Sequence, residues 1–233
     1  MTVLALDTTT RTGSAAVVVD GRIAVEMIGD PALTHGERLP GDLMRVLDAA
    51  EVPLQEIDCL AVAAGPGSFT GLRVGIAAVQ GLAVATGLRV VPVSALDALA
   101  RAASRSAAPV AAWMDAQRGQ VFAALYSPEG RLLREPSADS PASILDAWDD
   151  LTGYAVVRFI GEGAARYAGT VRARLGARAV VEPTPPLAGS IGLMAAASPD
   201  RAVPPHAIRP IYIRRPDAEL ARRARTAAPE DAG

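Results

Sequence analysis

The stretch TVLALD (2–7), with TTTRTG (8–13) and SAAVVV (14–19) after it, decides the fold. Its two apolar runs contain β-branched residues, which favour strands, and the polar segment between them has the composition of a turn. Asp20-Gly21, a dipeptide typical of tight hairpins, then leads into RIAVEMI (22–28). The segment therefore predicts a three-stranded antiparallel meander.

The same plan recurs in the second half of the chain. APVAAWMD (108–115) leads through AQRG (116–119) into QVFAALY (120–126), and another glycine turn follows. In both copies the first strand ends in an aspartate, Asp7 or Asp115. Self-similarity of this kind indicates two related lobes. The two turns differ in length, which leaves chance similarity as the alternative.

Helical patterns and short strands alternate after each meander. This order predicts an α/β protein with a mixed sheet flanked by helices in each of two lobes. We expect residues 1–106 to form the first lobe and residues 107–216 the second, smaller one. The segment 217–233 is rich in alanine and charge, and we expect it to be disordered.

The composition excludes several kinds of protein. The net charge of the 233 residues is −2, which argues against a protein that binds nucleic acid on its own. The sequence contains no lysine, which rules out a Schiff base. The single cysteine, Cys59, allows no internal disulfide and is expected in the core. The opening segment lacks the pattern of a signal peptide, and charged and amide side chains interrupt the longest apolar stretch, 72–93. We therefore expect a cytoplasmic protein with no membrane span.

The segment AVAAGPGSFTGLRVG (61–75) runs from an apolar strand through glycines into a helix. A glycine loop that opens a helix exposes backbone N–H groups at the positive end of the helix dipole and can hold a phosphate. Equally, the loop can be a tight turn in which Gly65 and Gly67 adopt angles that other residues resist. The motif is neither a Walker A sequence nor the spaced GxGxxG of dinucleotide folds. Both interpretations stay open on the residues alone.

Asp7, at the end of the first strand, is the other candidate for chemistry. A carboxylate there could hold a metal or orient a water molecule, or it could cap the turn from Thr8 to Gly13. The two histidines, His35 and His206, lack metal-ligand spacing. We therefore assign no catalytic residue and no metal ligand. The residues of a nucleotide-like cleft would be Asp7, Thr8, Gly65, Gly67 and Ser68.

The first helical pattern begins with a possible capping box. In such a box Thr34 and Glu37 each satisfy a backbone N–H of the other residue. Pro40 lies further along, where it removes a backbone donor, so a helix that begins nearer Pro40 is the alternative. One apolar face follows at helical spacing: Leu39, Leu43, Val46, Leu47 and Ala50.

The second helical pattern, 70–87, contains glycine at interior positions. Glycine inside a helix costs about 1 kcal/mol relative to alanine. A helix that keeps Gly75 and Gly81 therefore requires close approach by another backbone, either of the same chain or of a partner. If the backbone is a partner's, Gly75→Leu should prevent pairing while the lobe stays folded.

Four stretches together resemble the TsaB (YeaZ) family of bacterial proteins of threonylcarbamoyladenosine tRNA modification: VLALDTTTRTGSAAVV, THGERLPGDLMRVL, AVAAGPGSFTGLRVGIAAVQGLA and MDAQRGQVFAALY. The resemblance is close over residues 1 to 126 and looser as far as IYIR near residue 213. It implies a two-lobed, ribonuclease H-like fold similar to the actin, Hsp70 and sugar-kinase ATPases. The family's catalytic relative, TsaD, carries an H-x-x-x-H metal pair, which this sequence lacks.

The resemblance implies a non-catalytic scaffold. Such a chain pairs with TsaD, which transfers a threonylcarbamoyl group to N6 of adenosine 37 in tRNAs that read codons beginning with adenine. TsaE, an ATPase, completes the complex, and the chain forms a homodimer when TsaD is absent. No cofactor is expected to bind tightly, ATP or ADP and Mg²⁺ would act in the assembled complex, and tRNA would be contacted only through it.

The resemblance also implies a partner interface on the two first-lobe helices, residues 37–50 and 70–86. The residues of this interface would be Arg38, Leu39, Leu43, Leu47, Gly71, Arg73, Val74, Gly75, Ala78 and Leu82.

Three alternatives accompany this interpretation. The first is a weak nucleotide-binding protein or kinase-like ATPase of the same fold. The second is a metallopeptidase, which the sparse set of histidines disfavours. The third is a protein that binds tRNA itself through the basic tail, whose arginines are Arg214, Arg215, Arg222, Arg223 and Arg225.

Overall fold

The computed structural model describes residues 1–103 and 106–213, and its strands form two five-stranded mixed sheets. The strands of the first sheet are β1 (Thr2–Asp7), β2 (Ser14–Val19), β3 (Arg22–Ile28), β4 (Cys59–Gly65) and β5 (Val90–Ser94). Their order is β3-β2-β1-β4-β5, with β1 antiparallel to β2 and parallel to β4. The predicted meander is therefore present and occupies one half of the sheet.

The second sheet repeats this topology. Its strands are β6 (Val110–Gln117), β7 (Gln120–Tyr126), β8 (Leu132–Asp139), β9 (Val157–Ile160) and β10 (Ala179–Val181). Their order is β10-β9-β6-β7-β8, so an antiparallel meander again lies beside two parallel strands. The predicted repeat and the mixed sheet in each lobe are confirmed.

Seven α-helices of the described residues cover the sheets. They are α1 (His35–Ala49), α2 (Phe69–Thr86), α3 (Ala95–Ala102), α4 (Pro141–Ala147), α5 (Glu162–Arg166), α6 (Ala168–Leu175) and α7 (Ala188–Ala197). Helices α1 and α2 pack on the outer face of the first sheet, and α4 to α6 pack on the outer face of the second. Helices α3 and α7 lie between the two sheets, so the inner core runs from one lobe into the other.

The alternation of side chains along β1 explains these layers. Val3 and Ala5 point to the inner core with α3 and α7, while Leu4 and Leu6 point to α1 and α2. Successive side chains of a strand face opposite sides of the sheet, so an all-apolar strand requires cover on both faces. Asp7 has the parity of Val3 and Ala5 and therefore points inward.

The path of the chain after residue 187 differs from the predicted lobe assignment. Helix α7 packs on β1 and β2, and Val203 pairs with Val90 at the edge of the first sheet. Residues 188–213 thus belong by packing to the first lobe, although 107–216 was the predicted second lobe. An apolar helix does not encode which sheet it covers. The predicted tail, 217–233, lies outside the described residues.

The helical segment 162–175 is divided at Tyr167 into α5 and α6, and α1 decides between the two starts that its sequence pattern left open. In α1, Thr34 Oγ1 accepts from the Glu37 N–H and the Glu37 carboxylate accepts from the Thr34 N–H, so the capping box is confirmed and a start nearer Pro40 is wrong. Pro40 is tolerated inside α1 because the carbonyl of Gly36, which loses its donor, is on the exposed side.

Helix α2 is the one helix within the described ranges that is long and apolar enough to cross a membrane by length and composition. The expectation that polar interruptions exclude a span on composition alone is therefore wrong. Core helices of soluble proteins pass the same test. In this chain Leu72, Ile76 and Val79 are buried against the first sheet.

Candidate functional site

The glycine loop packs against the chain itself. A Cβ on Gly67 (φ 156°) would lie 2.8 Å from the Thr9 carbonyl oxygen, and one on Gly65 (φ 111°) would lie 2.7 Å from the Ile211 carbonyl oxygen. The Ser68 N–H donates to the Thr9 carbonyl at 2.9 Å. Gly65 and Gly67 therefore serve a tight turn that packs closely against the backbone of Thr9 and Ile211.

The start of α2 is also largely satisfied within the chain. Ser68 is the N-cap, and its Oγ accepts from the Gly71 N–H at 3.3 Å. The Leu72 N–H donates to the Ser68 carbonyl at 2.8 Å. Of the backbone donors that a helix start offers to an anion, those of Ser68 and Gly71 are therefore used within the chain.

Asp7 is buried and caps the turn that follows it. Its Oδ1 accepts from the Thr9 N–H at 2.8 Å and from Thr9 Oγ1 at 2.5 Å, and its Oδ2 accepts from Thr10 Oγ1 at 3.2 Å. Burial raises the pKa of Asp7, although these hydrogen bonds act in the opposite direction. Both carboxylate oxygens are used by the turn, so of the two roles considered the structure places Asp7 in the capping one.

Thr8 lies beneath α2 and explains its glycines. A Cβ on Gly75 would lie closer than 3.0 Å to Thr8 Oγ1, and one on Gly71 equally close to the Thr8 carbonyl oxygen. The close backbone is therefore that of the same chain. This corrects the assignment of Gly71 and Gly75 to a partner interface, because both are buried within the first lobe.

Arg38 forms a buried cluster on α1. Its guanidinium donates to the Asp42 carboxylate, to the Thr12 carbonyl and, at 2.8 Å, to His35 Nδ1. His35 then donates from Nε2 to the Thr10 carbonyl at 3.1 Å, and burial together with Arg38 lowers the pKa of His35. Arg38 thus fastens α1 to the first turn and is not available to a partner. Leu39, also predicted at the interface, is buried as well.

A cleft of about 1040 Å³ opens between the lobes. Its walls come from the loop before α1, the start of α2, the β6–β7 turn, the start of α5 and residues 211–213. Of the predicted nucleotide-site residues, Gly67 and Ser68 line it, whereas Asp7, Thr8 and Gly65 do not. Lining residues that the sequence did not single out as a site are Arg11, Leu33, Phe69, Asp115, Phe122, Glu162 and Tyr212.

Carboxylates of the second lobe face this cleft. Burial and the nearby Asp7 and Asp115 raise the pKa of Glu162. Asp115 pairs with Arg166 at 2.9 Å and accepts from the Gln117 N–H at 3.0 Å. Among residues 1–103 and 106–213, no group of three or more His, Cys, Asp or Glu side chains could hold a metal ion.

The exposed surface of α2 is largely apolar, whereas α1 exposes Met44 among the charged residues Glu37, Arg45 and Asp48. Of the predicted interface residues, Arg73 is exposed, and Leu43, Leu47, Val74, Ala78 and Leu82 are half-buried. The exposed stripe of α2 consists of Arg73, Ala77, Gly81, Val84 and Ala85, and Met44 is the exposed apolar side chain of the neighbouring helix α1. Val84 is 74% exposed and Met44 is 65% exposed. We call these six residues the helical face.

Two lobes with one repeated mixed sheet and a cleft between them define a protein of the class that contains actin, Hsp70 and the sugar kinases. The activator of the 2-hydroxyisocaproyl-CoA dehydratase from Clostridium difficile, solved with bound ADPNP, matches with a TM-score of 0.52. The match covers 86% of this chain and 96% of that one at 14% identity, a likeness that shows the fold alone.

Closer similarities identify the family. The family model described as TsaD, tRNA N6-adenosine threonylcarbamoyltransferase, matches residues 31–168. YeaZ from Pseudomonas aeruginosa has a TM-score of 0.74 and 31% identity over 91% of this chain and 99% of that one. The tRNA threonylcarbamoyladenosine biosynthesis protein TsaB of Escherichia coli (strain K12) is 38% identical over 128 residues, which are 54% of this chain. The matches span 52–64% of the length of the curated TsaB relatives. The chain belongs to the TsaB (YeaZ) family.

Proposed function

We propose that the chain takes part in threonylcarbamoyladenosine biosynthesis on tRNA as a non-catalytic subunit that pairs with TsaD. Support comes from family membership and from the helical face. An apolar surface of this kind on a globular protein is typical of a protein interface. In this proposal the chain supports the transfer of a threonylcarbamoyl group to N6 of adenosine 37, in tRNAs that read codons beginning with adenine.

The observation that carries the proposal is Gly81. It lies inside α2 and is exposed, and a Cβ there would meet nothing within 4 Å. Glycine at such a site costs about 1 kcal/mol, and no packing within the described residues requires it. Gly75, by contrast, is required by Thr8. A partner backbone that approaches the helical face closely would account for Gly81.

The other parts of the proposal follow from the family. TsaE completes the complex, the chain forms a homodimer when TsaD is absent, and tRNA is contacted only through the complex in the cytoplasm. ATP or ADP and Mg²⁺ act in the assembled complex, and this chain alone holds no nucleotide tightly. The tight turn at Gly65 and Gly67 and the capping role of Asp7 support this part of the proposal.

The test is reconstitution of the modification on tRNA. TsaD, TsaE, the adenylate-forming enzyme, ATP, threonine and bicarbonate are combined with and without this chain, and threonylcarbamoyladenosine is measured. We expect product formation to require the chain. Equal product without it would contradict the proposal, and calorimetric titration with ADP would then examine the kinase-like alternative.

Two variants sharpen this test. Val84→Glu on the helical face should abolish pairing and product, because it places a charge in an apolar contact. Leu132→Glu, at an apolar residue of the second lobe that is 41% exposed, is the control and should change neither. Asp7→Asn should retain activity wherever it folds; activity reduced to the level without the chain, in a folded Asp7→Asn protein, would indicate catalysis instead.

A further inference from the structure

Arg73 is the one charged side chain of α2. Its guanidinium carbon lies 4.2 Å from the centroid of the Phe69 ring, and the Phe69 ring lies 5.8 Å from the Tyr212 ring with a tilt of 32°. Arg73 is exposed, and within residues 1–103 and 106–213 no carboxylate lies within ion-pair distance of it. The cation is therefore oriented by aromatic rings and lacks an anionic partner in the described chain.

Neither the helix nor the stack accounts for a cation at this position. The amino-terminal part of a helix favours anions, so the dipole gives Arg73 no stabilisation. An exposed cation–π contact contributes only about 0.5–1 kcal/mol. The contact does restrict the long side chain, which lowers the entropy lost when the guanidinium binds another group. Planar guanidinium groups bind carboxylates in two-pronged geometry.

We propose that Arg73 forms an ion pair with a carboxylate of the partner subunit at the rim of the helical face, and that Phe69 and Tyr212 hold it ready for that contact. This inference rests on the function proposed above. Arg73 is the first residue of the exposed stripe that continues through Ala77 and Gly81. A partner helix that packs on these small residues would bring its side chains to Arg73.

Tyr212 is a positioning residue in this arrangement. The segment that carries it is fixed to the first sheet by the Ile211 N–H, which donates to the Ala64 carbonyl at 2.7 Å. Gly65 accommodates the Ile211 carbonyl, since a Cβ there would lie 2.7 Å from its oxygen. The end of the described chain thereby influences the orientation of Arg73 through a ring that need not touch the partner.

The experiment measures the affinity of the full-length chain for TsaD by calorimetry at low and at high salt. Arg73→Met should weaken binding about tenfold and flatten its salt dependence, because the variant retains bulk and loses charge. Tyr212→Ala should weaken binding several-fold, whereas Tyr212→Phe, which keeps the ring, should restore it. Tyr167→Ala removes a ring beside Arg166 in the second lobe, 5.7 Å from its guanidinium carbon, and should have no effect.

The outcomes separate the inference from the proposed function. If Val84→Glu abolishes binding while Arg73→Met changes neither affinity nor salt dependence, the ion pair is refuted and the helical face stands. If Tyr212→Ala and Tyr212→Phe bind alike, Tyr212 has no positioning role. If the unaltered chain does not bind TsaD, both the proposed function and the ion pair fall. Because Arg73 is exposed, its substitution should not prevent folding, and thermal unfolding verifies that each variant is folded.

Discussion

The two lobes share one sheet topology but differ in the turn after their first strand. In the first lobe Asp7 is buried, and both of its oxygens accept hydrogen bonds from the six-residue turn that follows. In the second lobe Asp115 faces the cleft and pairs with the exposed Arg166. The turn there has only two residues, Arg118-Gly119, both with positive φ, as in a tight hairpin.

Because of this difference, the turn of the first lobe contacts the helices α1 and α2. The carbonyl of Thr10 accepts from His35 on α1, and Thr8 lies directly under the glycines of α2. The first turn therefore supports the two helices that carry the helical face, whereas in the second lobe the end of β6, at residues 115–117, forms part of the cleft wall.

The largest contrast is expected between the two arginines that serve these turns. Arg38→Met removes a buried guanidinium from Asp42 and from the Thr12 carbonyl, and should lower the free energy of unfolding by about 3 kcal/mol. Arg166→Met breaks an ion pair whose arginine is 58% exposed and should cost less than about 1 kcal/mol. Urea unfolding of both variants measures the difference. Equal losses would mean that the buried cluster does not fasten α1 to the turn.

A second contrast lies within α2. Gly75→Ala places a methyl group against Thr8 Oγ1 and should destabilise the chain by about 2 kcal/mol, so the expectation that Gly75→Leu leaves the lobe folded does not hold. Gly81→Ala enters open space and should stabilise α2 by up to about 1 kcal/mol. Thermal unfolding and TsaD binding are measured for both. A Gly81→Ala chain that is more stable but binds more weakly would support close approach of a partner there.

The sequence predicted most of the fold because its signals are local. Apolar runs, hairpin dipeptides and the capping box at Thr34 each depend on neighbouring residues. All strands of the two meanders except β8 lie within a few residues of their predicted bounds. The position of α7 was not predictable in this way. Its residues are apolar on most sides, so its pattern does not indicate that it returns to β1 and β2.

The candidate site was predicted less well, for a physical reason. Spacing places Gly71, Gly75 and Ala78 on one side of a helix, but only tertiary packing decides whether that side faces Thr8 or solvent. The family resemblance placed Arg38 at the interface, yet Arg38 is buried in the cluster around His35. Glu162 comes to the cleft through the sheet topology, which no local pattern shows.

The smallest effect should be a difference in pH dependence between the lobes. Burial and Arg38 lower the pKa of His35 below its ordinary 6.5, so the unfolded chain binds the proton more readily, and the stability from neutral His35 is lost as the pH falls through 6.5. The pKa of Glu162 is raised above its ordinary 4.5, so its contribution has the opposite sign and is lost as the pH rises through the raised value. The free energy of unfolding is measured from pH 7.5 to 4 by about half-unit steps. Compared with the unaltered chain, His35→Gln should show a weaker dependence on pH near neutrality. Glu162→Gln should show a weaker dependence in the acid range. If the unfolding free energy of His35→Gln and of the unaltered chain depends on pH in the same way, the pKa of His35 does not differ between the folded and the unfolded state. The link between α1 and the first turn would then depend on Arg38 alone.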